Sequence, residues 1–273
     1  MKNVKLFFLA IFASAFLSGC LQVDTKINLN NDGSGTIEET VVIKSAVINM
    51  MKEFAMAFDS TKANDFEMFK ESEIKDKASN YGEDVKYISG EKVVIDGYEG
   101  FKALYSFKDI NKIKINPSPE DKMPFGDEFK NEEEKPVDDN LKFNFTKGNP
   151  SILVIDFPKP EMKDEVDIDS NDTEVEDSTF NEDAQQKIIE MFDGMKINVS
   201  LNFNNPIVET DASFVDGNKI TIMQVDFSEI IKHKDVLENL QKTKPETMEQ
   251  FKEAIGDLPG VKIEFKEKVI IKF

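Results

Sequence analysis

The chain has 273 residues, with 53 acidic side chains against 34 basic ones, all of them lysine, for a formal charge of −19. That balance argues against nucleic acid and anionic membrane surfaces as partners, since both select clustered basic residues. The missing arginine also removes the usual anchor of bidentate phosphate sites.

Lys2 and Lys5 precede an apolar run from Leu6 to Leu17, and Leu17-Ser18-Gly19-Cys20 follows at once. The run is shorter than the roughly 20 apolar residues that span a bilayer, so it reads as a secretory signal occupying residues 1–19. Leu-Ser-Gly-Cys resembles the lipobox of bacterial lipoproteins. The resemblance implies cleavage between Gly19 and Cys20, diacylglycerol on the Cys20 thiol, acylation such as palmitate on the new amine, and a membrane anchor made of lipid. Leu21 stands where an aspartate is often associated with inner-membrane retention, so a two-membrane host would place the protein on the periplasmic side of the outer membrane. Cys20 is the single cysteine, so no disulfide framework forms and the fold rests on a packed core. Loss of residues 1–19 removes two lysines and no acid, which takes the charge to about −21.

Residues 20–116 read as an N-terminal α+β part. From Gln22 to Asn30 the chain alternates, with Val23, Thr25, Ile27 and Leu29 on one side, as in a half-buried strand. Asn31-Asp32-Gly33-Ser34-Gly35 supplies a turn, and Thr36 to Ile43 returns as the second arm of a hairpin. From Ser45 the period turns helical through Val47, Ile48, Met51, Phe54, Ala55 and Phe58. A second helical stretch runs from Asn64 to about Ser79. Both helices are expected to lie on the sheet. Val85–Ile95 and Gly97–Phe107 form a further hairpin about Asp96-Gly97, and Asp109–Ile115 a brief turn with a short strand.

Residues 117–140 carry four prolines and nine acids, which disfavours helix and ladder alike and marks a linker. A hairpin fills 141–158, with strands Leu141–Thr146 and Ser151–Phe157. Residues 159–183 form an acidic insertion; from 161 onward it holds eleven acids and one lysine. Residues 184–273 read as a C-terminal α+β part of the same globular unit. It comprises a short helix at Ala184–Met191, a strand at Lys196–Phe203, a hairpin of Ile207–Phe214 with Lys219–Val225, helices near Ser228–Leu240 and Pro245–Ile255, and a last strand from Val261 to Phe273. The fold class expected is α+β, a largely antiparallel sheet built from hairpins with helices packed on one face.

Candidate chemistry is sparse. Asn30 to Val41 overlays an EF-hand loop at Asp32, Ser34, Gly35 and Ile37, but Asn30 and Val41 stand where calcium needs carboxylates, and the flanks are strand-like. The run from Asp167 fails likewise at Asp172 and Ser178. His233 has no second ligand and no nucleophile beside it, and no phosphate loop or nucleophile elbow occurs. The reading is therefore no catalytic residue, no metal and no cofactor. Met50, Met51, Phe54, Met56, Phe58, Phe66, Met68 and Phe69 are dense enough to line a lipid groove, although Met51, Phe54 and Phe58 share one helix face as core residues do.

The order of lipobox, alternating strand, DGSG turn, strand and helix resembles the LppM-like domain of bacterial lipoproteins. The stretch from Lys196 through Asn204-Asn205-Pro206 and Asp216-Gly217-Asn218 to Ile222 is similar to that domain's later hairpin. The resemblance implies an α+β envelope domain on a lipid tether, with lipid contact suggested for some relatives and no catalytic residues to transfer. The function expected is a non-enzymatic lipoprotein bound to the membrane through Cys20, which binds an envelope protein partner or helps organise the envelope, with no nucleic acid involved. The alternative is a carrier for lipid or another hydrophobic ligand.

Overall fold

A computed structural model of the chain describes residues 21–58, 69–117, 140–158, 194–233, 248–255 and 258–273. Twelve strands and four helices are defined among them. In chain order they are β1 (Leu21–Leu29), β2 (Gly35–Lys44), α1 (Ser45–Phe58), α2 (Glu71–Asp76), β3 (Lys86–Ile95), β4 (Tyr98–Phe107), β5 (Lys142–Thr146), β6 (Ile152–Asp156), β7 (Lys196–Phe203), β8 (Glu209–Thr210), β9 (Val215–Asp216), β10 (Lys219–Asp226), α3 (Phe227–Ile230), α4 (Met248–Ile255), β11 (Val261–Ile263) and β12 (Lys268–Lys272). A 3₁₀ turn, Lys77–Tyr81, continues α2.

Two sheets result. The larger runs β11-β10-β7-β1-β2-β4-β3, with β9 paired to β10, and the smaller runs β5-β6-β12-β8. Alternation explains the larger sheet: Leu21, Val23, Thr25, Ile27 and Leu29 of β1 are all buried while their neighbours are half exposed. The same parity buries Ile37, Glu39, Val41 and Ile43 in β2 and Phe101, Ala103, Tyr105 and Phe107 in β4. The β3–β4 turn is Asp96-Gly97, both at positive φ (+48° and +82°), the two-residue geometry that suits the twist of a hairpin.

The expected α+β class is not what forms; the protein is mainly β. Among the described residues, helices cover only part of the inner face of the large sheet. Phe69, just before α2, stacks edge-on against Phe101 at 5.2 Å, and Tyr105 donates to the Ile74 carbonyl of α2 at 2.9 Å. The second sheet joins the same core: Phe273, just past β12, packs on Phe203 of β7 at 4.6 Å and on Phe145 of β5 at 6.1 Å. Periodicity tells which side of a strand is apolar but not which layer covers it.

Three segment assignments change as well. Ile207–Phe214 is not the partner of Lys219–Val225; only Glu209–Thr210 is strand, and it pairs with β12 in the other sheet, while Val215–Asp216 closes the turn onto β10. The single strand expected over 261–273 breaks in two. At the break the buried Glu264 carboxylate accepts from Ser213 N and Oγ at 2.6 and 2.8 Å and from Lys266 N at 3.3 Å, which draws the chain out of the ladder. Finally, the large sheet is not hairpins alone, because β1 pairs in parallel with β7 at its centre. The helix expected at 184–191 and most of that at 228–240 lie outside the described residues; of the one expected at 64–79, residues 64–68 do so, and the described remainder holds α2 and the start of the 3₁₀ turn.

Candidate functional site

A carboxylate sits where the apolar pattern calls for a hydrophobe. Glu39 of β2 is 1% exposed and faces inward between Ile37 and Val41. Its cross-strand neighbours are Thr25 of β1, fully buried, and Ala103 of β4. The 3₁₀ turn after α2 brings Tyr81 against it, and Tyr105 lies two residues along β4 from Ala103. The two tyrosine rings are 5.2 Å apart, and Tyr87 of β3 meets Tyr105 edge-on at 6.0 Å. Burial above all, and then the Glu39 charge, pushes the Tyr81 and Tyr105 hydroxyls well above the usual tyrosine range. Both hydroxyls therefore keep their protons: Tyr105 donates to the Ile74 carbonyl, and Tyr81 lies beside Glu39. Lys77 lies over the Phe101 ring at 5.2 Å and Lys75 over Tyr87 at 5.5 Å, so the rim of this group is cationic. The Thr25 hydroxyl has no hydrogen-bond partner among the described residues.

The opposite face of the large sheet is polar. Asn198 and Asn202 of β7 donate to Asp24 and Asn28 of β1 at 2.6 and 3.0 Å, and Asn204 continues to Asn30. Lys26 binds Asp24 at 2.6 Å and Glu38 at 3.6 Å, and Lys102 binds Glu38 at 3.2 Å. Burial disfavours the Lys26 charge, but these two carboxylates outweigh it and leave its pKa raised. The group is a structural lattice with every charge answered.

The sequence-derived candidates fall as follows. Gly19 and Cys20 lie outside the described residues, as do the acidic run from Asp167 and both Phe66 and Met68. The Asn30–Val41 segment is a hairpin turn in which the Asp32 carboxylate accepts from Ser34 N and Oγ at 3.0 and 2.6 Å, and those bonds hold its pKa low. No group of three or more His, Cys, Asp or Glu side chains among the described residues is arranged to hold a metal ion. His233 closes a turn, its N–H donating to the Ile230 carbonyl at 3.0 Å. Of the Met/Phe-rich stretch, Phe69 is core, and the Met51, Phe54 and Phe58 side chains are outside the description. The Glu39 group went unread in the sequence, although Glu39 shares the parity of Ile37, Val41 and Ile43.

Fold and site together define a two-sheet, mainly β domain with one buried acid–tyrosine group and no helix, among the described residues, long and apolar enough to cross a membrane. No protein-family model matches the chain, and no curated protein matches its sequence. Among solved structures, it is similar to the NMR structure of the folded domain of Mycobacterium tuberculosis LppM, at 10% identity and a TM-score of 0.33 over 77% of this chain and 85% of that one. So slight a likeness leaves the function to be argued from the residues.

Proposed function

We propose that the chain is a lipoprotein anchored through lipid on Cys20, whose mainly β body works without catalysis by binding an envelope protein partner or organising the envelope. The observation that carries this is the junction at Cys20. The apolar run and Leu17-Ser18-Gly19-Cys20 end where the central strand of the large sheet begins, at Leu21, so removal of residues 1–19 takes nothing from the described fold. The non-catalytic reading rests on access: Glu39, which among the described residues is the carboxylate that faces tyrosines in the core, is 1% exposed and closed to a substrate. In a two-membrane host the residue after the cysteine favours the outer membrane. The carrier alternative gains no support from the described core, where side chains of both sheets meet directly.

The test is metabolic palmitate labelling with membrane fractionation. Wild type should label and sediment with membranes, while Cys20→Ala should stay unlabelled and retain the precursor size. An unlabelled, soluble wild type overturns the assignment. In-cell crosslinking and mass spectrometry should then recover a reproducible envelope protein; a solitary protein at native expression counts against partner binding.

A further inference from the structure

Two exposed apolar residues of the β3–β4 hairpin, Val94 and Ile95, stand at the end of the sheet where β1 begins, while Ile88, 51% exposed, lies toward the hairpin's other end. Across the end where β1 begins, the Cα partners are Leu21 with Ile43, Ile43 with Glu99, and Glu99 with Val94; one step further, Lys44 pairs with Tyr98 and Tyr98 with Ile95. Leu21 and Ile43 are buried at 2% and 4%, whereas Val94 is 74% and Ile95 47% exposed. With strands about 4.8 Å apart, Val94 lies roughly 14 Å along the sheet from Leu21. The tip is held in place: Asp96-Gly97 turns with both residues at positive φ, and the Gly97 carbonyl accepts from Ser45 N at the start of α1 at 2.8 Å. The chain's large negative charge is not concentrated here, since Lys44, Lys92 and Lys196 offset Asp96, Glu99 and Asp226, with Lys196 and Asp226 paired at 2.8 Å.

We infer that this end of the large sheet is the surface that meets the lipid bilayer, with Val94 and Ile95 seated at the boundary between headgroups and acyl chains. The inference rests on lipid anchoring at Cys20. Given that anchor, the geometry is restrictive. Cys20 is bonded to Leu21, which is already buried strand, so no free linker separates the acyl chains from the body. The strands then stand away from the membrane, and the Asn31–Gly33 turn at the far end of β1 is held about 25–30 Å further out, at roughly 3.3 Å per residue. Apolar side chains at the near end gain by leaving water, and the occupant that the anchor places beside them is lipid.

The experiment uses the full-length protein, expressed, processed and purified, with Val94→Cys carrying an environment-sensitive fluorophore, reconstituted in phosphatidylethanolamine/phosphatidylglycerol vesicles with and without brominated acyl chains. Asp32→Cys is the distal control. The expected result is one labelled thiol per chain, with blue-shifted emission quenched by brominated lipid at position 94 and water-like, unquenched emission at position 32. Two labelled thiols per chain would show Cys20 unmodified, and the anchor and the docking surface would fall together. One labelled thiol with water-like emission at position 94 would overturn the docking surface alone. A blue shift that brominated lipid does not quench would put protein over the tip and overturn it too.

Discussion

Asn202 donates from its side-chain amide to the Asn28 side-chain oxygen at 3.0 Å across 174 residues of sequence, at the centre of the large sheet. The same offset joins Asn198 to Asp24 and Asn204 to Asn30, so three amides in register mark where β7 lies against β1. A one-residue slip would break all three and turn the inward apolar set outward.

The ladder is therefore expected to couple. Asn28→Ala and Asn202→Ala should each cost about 0.5–1.5 kcal/mol, the net value of such a bond. The double variant should lose about 0.5 kcal/mol less than the sum. Urea unfolding of the four members of the cycle checks this, and strict additivity would show that the amides do not interact. Asn198→Ala should cost more than Asn202→Ala, because its acceptor is a carboxylate at 2.6 Å.

At Glu39 the outcome depends on what replaces the carboxylate. Glu39→Gln keeps the volume and an oxygen for Tyr81, and the protein should fold. Glu39→Ala opens a cavity and leaves the Tyr81 hydroxyl buried without that acceptor, a loss of about 2–4 kcal/mol. Thermal melts should therefore rank Ala well below Gln; equal melting temperatures would mean that the carboxylate is not held as described.

Alkaline pH should unfold the protein through two of its four tyrosines. In the unfolded chain Tyr81 and Tyr105 ionise near pH 10, while in the native state burial and the Glu39 charge keep both protonated. Above pH 10 the unfolded state thus binds fewer protons than the native state. Stability, fully present below that pH, then declines by up to about 1.4 kcal/mol per pH unit for each tyrosine. Tyrosinate absorbance should show these two hydroxyls titrating only with loss of the fold, and Glu39→Gln should bring their ionisation to lower pH. Four tyrosines that titrate together in the native state would contradict the arrangement.

Two glycines of one hairpin should respond unequally to alanine. At Gly100 a Cβ would lie 1.9 Å from the Val41 carbonyl oxygen and 2.7 Å from the Val42 Cα, both backbone atoms that a neighbour cannot move aside. Gly97 has φ +82° and nothing within 4 Å of its Cβ position. Gly100→Ala should cost more than about 3 kcal/mol and Gly97→Ala about 1–2, read by chemical denaturation. Similar losses at the two sites would show that the β2–β4 approach relaxes.

Much of the strand layout was legible because alternation is local. Lys196–Phe203 occurs as expected, and β1 to β4 fall within a residue or so of the segments assigned from Val23, Ile37, Tyr105 and their neighbours. Partners were not legible. Nothing in Val23-to-Leu29 distinguishes a parallel neighbour 174 residues on from an antiparallel one, and Val261-to-Phe273 reads as one strand until Glu264 finds Ser213. The buried acid was half legible. Glu39 follows the inward parity of β2 and Tyr105 that of β4, but Tyr81 reaches them from a 3₁₀ turn whose position periodicity does not specify.

The parallel pairing at the centre of the sheet also sets an order of events. β1 can close a hairpin with β2 as soon as both are free to fold, but its other edge waits for β7, 174 residues further along the chain. Throughout that wait, the strand destined for the middle of the sheet shows one unpaired edge, the template on which wrong strands add. High contact order makes the final closure slow in its own right. The protein therefore depends, early in its life, on whatever keeps that edge solitary until the last third of the chain arrives.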